Sequence, residues 1–249
     1  GEDYPDNAER FALLCRSAAL LAQDRLGLGW QPDVVHCNDW QTALVPLLLH
    51  SARPRPALVF TIHNLAYQGL FPAATLQRLG LSVRHWHSDG LEFHGLLSFI
   101  KAGIVFADRV NTVSPRYAKE ILQPAFGNGL DGLLRHRSDV LSGILNGIDS
   151  NAWNPARDPA LVSRYGITTL ARKTDNKLAL QRELGLIVDA ATPLLAFIGR
   201  LAEQKGIDLL LAALPELLDH PCQAAILGSG DPTSERDLAA LASAHPGRV

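Results

Sequence analysis

Polar residues of catalytic type gather just after the apolar runs of this chain. Asn38-Asp39-Trp40, His63-Asn64, Ser114, Asn146-Gly147, Gly199-Arg200 and Gly228-Ser229-Gly230-Asp231 each follow a short run that reads as a buried strand. In open parallel sheets, ligands bind beyond the carboxyl ends of the strands. A rim that repeatedly carries Asn, Asp, His and Arg therefore marks a binding cleft. The most chemical of these segments lie in the second half. Gly199 permits close backbone approach, Arg200 follows at once, and Lys205-Gly206 opens the next helix. Two cations beside a helix N-terminus make an anion site. Arginine offers phosphate oxygens a planar fork, and lysine a point charge. A diphosphate leaving group would be stabilised there without a metal. The same pair also reads as two solvated surface cations. Gly228 and Gly230 can cradle a nucleotide, or simply make a short turn. His63 can bond a sugar hydroxyl, stabilise developing charge, or be satisfied within the core. Asp39 can bind a hydroxyl, orient a partner, or cap the helix that begins near Trp40.

The elements that must position these residues follow from pattern. Asp6 and Glu9 are spaced as a capping box ahead of Phe11, Leu14, Cys15, Ala18, Leu21 and Ala22 at helical spacing, with Gly27 and Gly29 to end the helix. Strands are expected at 33–37, 57–62, 109–113 and 141–145, and helices at 40–49 and 96–107. Ser114-Pro115 reads as a cap with proline at the first helical position, opening a helix that runs to about Leu122. Residues 64–95 have weak periodicity and read as a long functional loop. Its histidines and aromatics (His85, Trp86, His87, Phe93, His94) have no metal-ligand spacing and read as loop packing or carbohydrate contact. Residues 146–172, rich in Asn, Asp and Pro, read as an interdomain linker. Beyond it come a strand at 193–198, a helix at 207–218, a strand at 223–227 and a helix at 234–244 with Ser234 and Asp237 spaced as its capping box. Apolar strands alternating with helices imply parallel sheets covered on both faces. The expectation is an α/β chain of two Rossmann-like domains. Residues 1–146 form a catalytic domain whose start is missing, and 147–249 form the linker and the first part of a second domain, truncated after about two strands.

Composition narrows the function. Of 249 residues, 23 are Lys or Arg and 25 Asp or Glu, so the net charge of −2 disfavours a nucleic-acid partner. An apolar fraction of 47% suits an ordinary globular core. Cys15, Cys37 and Cys222 are far apart and read as reduced, buried residues, with neither metal-ligand spacing nor a disulfide framework. No apolar run reaches the ~18 residues a bilayer span needs, and no signal-peptide pattern is visible. No Gly-x-Gly-x-x-Gly turn follows an expected strand, which disfavours a nicotinamide oxidoreductase.

Five segments, in order and spacing, resemble bacterial glycogen synthases and plant starch synthases. They are His36-Cys-Asn-Asp-Trp40, Thr61-Ile-His-Asn-Leu-Ala-Tyr-Gln-Gly69, Ala107-Asp-Arg-Val-Asn-Thr-Val-Ser114, Gly143-Ile-Leu-Asn-Gly-Ile-Asp149 and Gly199-Arg-Leu-Ala-Glu-Gln-Lys-Gly206. The second is the most specific, and Arg-x4-Lys alone occurs in many related glycosyltransferases. The resemblance implies a GT-B architecture. It implies transfer of glucose from ADP-glucose to the non-reducing end of an α-1,4-glucan, with retention of configuration and with no metal or other cofactor. It assigns Asp39 and His63 to catalysis, Asn64 and Asn146 to polar cleft contacts, and Arg200 and Lys205 to the donor diphosphate. It places the protein in the bacterial cytoplasm, or in a plastid if the source is a plant. The family's Lys-Thr-Gly-Gly-Leu motif and its pair of glutamates seven residues apart are absent from these 249 residues, so this piece is expected to be inactive in isolation. The competing expectations are a retaining GT-B glucosyltransferase that uses UDP-glucose and a non-catalytic glucan-binding relative.

Overall fold

A parallel sheet organises the first of the two units into which the chain divides, Gly1–Gly147 and Ile148–Val249. The structure, a computed structural model, describes residues 4–249. Helix α1 (Asn7–Ala22) buries Ala8, Ala12, Cys15, Ala19 and Ala22 along one stripe. The expected capping box does not form. The Asp6 side chain makes no capping bond, and Glu9 instead pairs with Arg78 at 2.5 Å. The helix also stops before the glycines, because Asp24 turns to a φ of 50° and its carboxylate takes the amides of Leu28 and Gly29.

Strand β1 (Val34–Asn38) leads into α2 (Asp39–Thr42) and α3 (Leu44–Leu49). The single helix expected over 40–49 is broken at Ala43. Pro46 has no amide to give the Thr42 carbonyl four residues back. Strand β2 (Ala57–Ile62) forms as its apolar run requires. The expected long loop is ordered into β3 (Leu70–Pro72), α4 (Ala74–Arg78), a 3-10 turn (Val83–His85) and β4 (Glu92–Phe93). With β5 (Leu96–Ser98) these strands make a small antiparallel sheet in the order β3-β5-β4. Strands this short show no period in sequence. The helix expected from Leu96 therefore begins only at Phe99, as α5 (Phe99–Phe106). Then follow β6 (Arg109–Thr112), α6 (Pro115–Glu120), α7 (Asp131–His136), which the sequence pattern left unassigned, and β7 (Leu141–Gly143).

The main sheet runs β1-β2-β6-β7, all parallel, with Asn38, Thr61, Asn111 and Ser142 in one register rank. Leu58, Phe60 and Ile62 of β2 pack with Leu44 and Leu49 of α3 and with Phe99, Ile100 and Ile104 of α5, all fully buried. Val34, His36, Arg109 and Ser142, on the alternate positions, are exposed. Helices α1, α3 and α5 pack against one another over the buried face.

At the opposite end of β2 and β6, Asp108 clips the sheet. Its two oxygens each take an Arg55 nitrogen at 2.7 Å, and Oδ2 also accepts the Leu58 amide at 2.8 Å. The Arg55 hydrogen bond holds the Asp108 carboxyl down to about 2, against the opposing pull of burial. A carboxyl depressed in the folded state contributes stability above its unfolded value of ~3.9, and that contribution is lost as pH falls through about 2. The Asp108 side chain is 37% exposed, so solvent screens the pair. Asp108→Ala should cost roughly 1 kcal/mol at neutral pH. In acid titrations followed by circular dichroism, the variant's stability should also fall less between about pH 4 and 2 than the parent's.

The second unit carries a 3-10 segment (Ile167–Arg172), α8 (Lys173–Glu183), β8 (Leu194–Ile198), a 3-10 turn (Glu203–Lys205), α9 (Ile207–Leu217), β9 (Gln223–Leu227) and α10 (Pro232–Ala244). Strands β8 and β9 pair in parallel, from Leu194 with Gln223 to Ile198 with Leu227. Leu201, Ile207, Leu214, Ala224 and Leu238 form their core. Helix α8 went unrecognised because it has no apolar stripe: its buried residue is Gln181, whose amide donates to Gln223 at 2.6 Å. Helix α10 starts earlier than expected. Asp231 is its cap, accepting the Ser234 amide at 2.8 Å, and Pro232 takes the first position, so Ser234 lies inside the helix.

Candidate active-site rim

The sharpest local feature of the first unit is where β1 ends. Asp39 adopts a φ of 56°, a left-handed conformation that Asp tolerates better than most residues. Its Oδ1 accepts the backbone N–H of His63 at 2.8 Å. The carboxylate is thus spent on the neighbouring strand end rather than on the helix that follows. His63 leaves the end of β2 with its ring exposed, and its Nε2 lies 3.0 Å from Oδ1 of Asn38. Asn38 is anchored in turn by Thr42, which accepts its amide at 2.6 Å and donates to its carbonyl at 2.8 Å. Two adjacent parallel strands are cross-braced at their carboxyl ends, and the brace presents an imidazole. His63 is a rim residue and not a core histidine.

Asn64 closes the rim loop on itself, its Oδ1 accepting the Ala66 amide at 3.0 Å. The Leu65 amide donates to the Tyr117 hydroxyl at 3.0 Å, tying that loop to α6, which Ser114 caps through the Arg116 and Tyr117 amides as expected. A groove of about 1010 Å³ runs beside Asp39, lined by Trp40, Gln41, Tyr67, Gln68 and Asn128 among others. Aromatic faces beside amides and a carboxylate suit a chain of pyranose rings, which are apolar on their faces and hydroxylated at their edges. Gly69 shapes this groove. Its φ is 60°, and a Cβ there would sit 2.4 Å from the Trp40 ring, which also packs edge-on against Phe11 at 4.8 Å. Gly69→Ala should destabilise the unit by roughly 2–4 kcal/mol, the sum of left-handed strain and overpacking, read as a lower urea midpoint.

Asn146 follows β7 and is exposed. In the second unit Arg200 directly follows β8, and Lys205 ends the 3-10 turn before Gly206, whose φ of 73° starts α9. Both cations are exposed, on the segment between a strand's carboxyl end and a helix's unpartnered first amides. Gly228 and Gly230 have a structural reason to be glycine that the sequence did not reveal. A Cβ on Gly228 would lie 2.0 Å from the Gly199 carbonyl, and one on Gly230 would lie 2.3 Å from that of Leu201. The two loops zip together instead, with Gly199 donating to Leu227 at 3.0 Å, Leu201 to Ser229 at 2.9 Å and Asp231 to Leu201 at 2.9 Å. The loop that carries Arg200 is held by that zipper.

Sequence reasoning also missed Lys101. It lies within apolar α5, only 4% exposed, and its ammonium donates to the carbonyls of Ser88 and Glu92. Burial lowers its pKa. In the same region His50 and His85 pack edge-on against Phe106, at 5.2 and 5.5 Å. Among the described residues no group of three or more His, Cys, Asp or Glu could hold a metal ion, and no helix is long and apolar enough to cross a membrane.

Comparison with known proteins gives concordant results. Residues 1–136 match the family model described as starch synthase catalytic domain. Glycogen synthase 1 of Methylococcus capsulatus is 60% identical over 249 residues, which is all of this chain and 50% of that protein. Glycogen synthase of Cellvibrio japonicus is 54% identical, again over the whole chain and 52% of its own length. The chain spans about half the length of the curated relatives it matches. The solved catalytic domain of starch synthase IV from Arabidopsis thaliana, bound to ADP and acarbose, superposes with a TM-score of 0.87 at 34% identity, covering 98% of this chain and 51% of that one.

Proposed function

Because this chain belongs to the starch synthase catalytic domain family, we propose that its complete gene product is a glycogen synthase. In this reading it transfers glucose from ADP-glucose to the non-reducing end of an α-1,4-glucan with retention of configuration. The bond between the anomeric carbon and the diphosphate oxygen breaks, and a bond to the acceptor hydroxyl oxygen forms on the same face as that hydroxyl's proton passes to the departing diphosphate. Arg200 and Lys205 take up the negative charge that grows on the departing diphosphate, so the chemistry needs no metal. Asn64, Asn146, Gly228 and Gly230 belong to the donor-binding surface. His63 meets the transferred sugar, and Asp39 holds His63 in place. The first unit is the acceptor side and the second the nucleotide side.

The observation that carries this reading is the left-handed Asp39, whose carboxylate holds the His63 amide and leaves the imidazole open at the strand ends. Backbone held in a sparsely populated conformation at a strand-end rim is typical of functional sites. ADP in the Arabidopsis neighbour supports an adenine nucleotide donor, and acarbose there supports a glucan acceptor. Relatives from two bacteria support a bacterial source, for which this reading takes the cytoplasm rather than a plastid. Donor choice is tested by competition. Unlabelled ADP-glucose should suppress incorporation from labelled ADP-glucose far more than the same concentration of UDP-glucose does. Equal suppression, or incorporation from UDP-glucose alone, would move the protein to a neighbouring transferase class.

A further inference from the structure

We propose that Asn38 is a positioning residue that sets the tautomer of His63, so that Nδ1 of the ring accepts a hydrogen bond from a hydroxyl of the transferred sugar; this rests on the transferase reading above. The amide oxygen of Asn38 can only accept. In this orientation it lies 3.0 Å from Nε2, and the contact is a hydrogen bond when that nitrogen carries the proton. In a neutral imidazole the other nitrogen is then an acceptor. Asp39 does not compete for the ring, because its carboxylate is taken up by the His63 main-chain amide. Along the loop the next ionisable side chain is Tyr67, four residues on, and from α6 the Tyr117 hydroxyl is engaged by the Leu65 amide. The oxygen beside Nε2 is therefore neutral. A carboxylate in its place would favour the imidazolium, which donates from both nitrogens and could accept from no hydroxyl. The brace thereby decides between two roles open to His63. With Nε2 donating to Asn38, the ring reads a sugar hydroxyl as an acceptor through Nδ1.

Asn38 is suited to this task by its anchoring. Thr42 holds both its amide and its carbonyl, so the side chain starts from a fixed backbone. It shares a register rank with Thr61, two residues before His63, so the two side chains rise from adjacent strand ends.

The ring nitrogens are read directly by NMR on the complete gene product labelled with ¹⁵N-histidine, the His63 signals being identified by their loss in His63→Gln. At neutral pH the parent should show a protonated, pyrrole-like Nε2 and a pyridine-like Nδ1. Asn38→Ala should release the ring to a mixture of tautomers. It should also lower kcat by about tenfold, the factor that one neutral hydrogen bond carries, with an unchanged thermal midpoint. Asn38→Asp should move the acid limb of the kcat/KM profile to higher pH, because a carboxylate beside the ring favours the imidazolium. A parent spectrum with the proton on Nδ1, or an Asn38→Ala spectrum identical to the parent's, would overturn the proposal. If the protein transfers no glucose at all, the transferase reading fails while the ring spectrum still decides the role of Asn38.

Discussion

Arg200→Ala in the complete gene product should lower kcat for glucose transfer by roughly 10²–10³-fold, the range seen when one preorganised group facing developing charge is removed. The diphosphate gains negative charge as the anomeric bond breaks, and an interaction that strengthens in the transition state appears in kcat. Arg200 sits on a loop that cannot easily move, since Gly199 and Leu201 on either side of it are bonded to Leu227 and Ser229. Its side chain is exposed, so the thermal midpoint should hardly change and the loss is not one of folding. Lys205→Ala should behave alike. In the proposed reading both cations act on one leaving group, so the double variant should fall short of the product of the two single effects. Arg200→Lys should restore only part of the activity, for it replaces a planar fork with a point charge. A change of less than about threefold in all four variants would leave the pair as ordinary solvated cations, the other reading open to these residues from sequence.

The second large effect is expected at Asp39. Asp39→Ala removes the acceptor of the His63 amide and places at a φ of 56° a residue that resists the left-handed region. His63 then loses its register against β1, and a misplacement of about 1 Å can cost roughly 10²-fold in rate. Asp39→Asn keeps an oxygen acceptor and a side chain that tolerates positive φ, so it should retain activity within about tenfold of the parent. Steady-state kinetics of the two variants, alongside urea unfolding, separate the roles. If Asp39→Asn were as inactive as Asp39→Ala, the negative charge itself would be required, and Asp39 would act on the substrate rather than through His63.

The parts of this fold that were legible from sequence are those where local preference and burial agree. Ala57–Ile62 and Gln223–Leu227 are short apolar runs that can only be buried strands, and their bounds match. The Ser114-Pro115 start of α6 was legible for the same reason. The illegible parts depend on partners far away in sequence. Glu9 abandons its capping box for Arg78, which no local rule foresees. The three short strands between Leu70 and Ser98 exist only because they pair with one another. Helix α8 hides its one buried contact in a glutamine pair. At the rim, the residue types after each strand were visible, but the geometry that joins them was not. The positive φ of Asp39, the amide bond to His63 and the Asn38 contact all cross between strands. Gly228 and Gly230 show the reverse case. Their residue type suggested a ligand, and the structure adds a backbone zipper that requires glycine whether or not a nucleotide lies there.

The complete gene product is proposed to build α-glucan from a nucleotide-sugar. The most direct test incubates the complete gene product with glycogen and ADP-glucose labelled at the anomeric carbon, and follows that carbon by NMR. Label should be transferred to glycogen as α-1,4-linked glucose at the non-reducing ends, with ADP released in equal amount. Label that stays in ADP-glucose, or that appears as free glucose or in β-linkage, would contradict it.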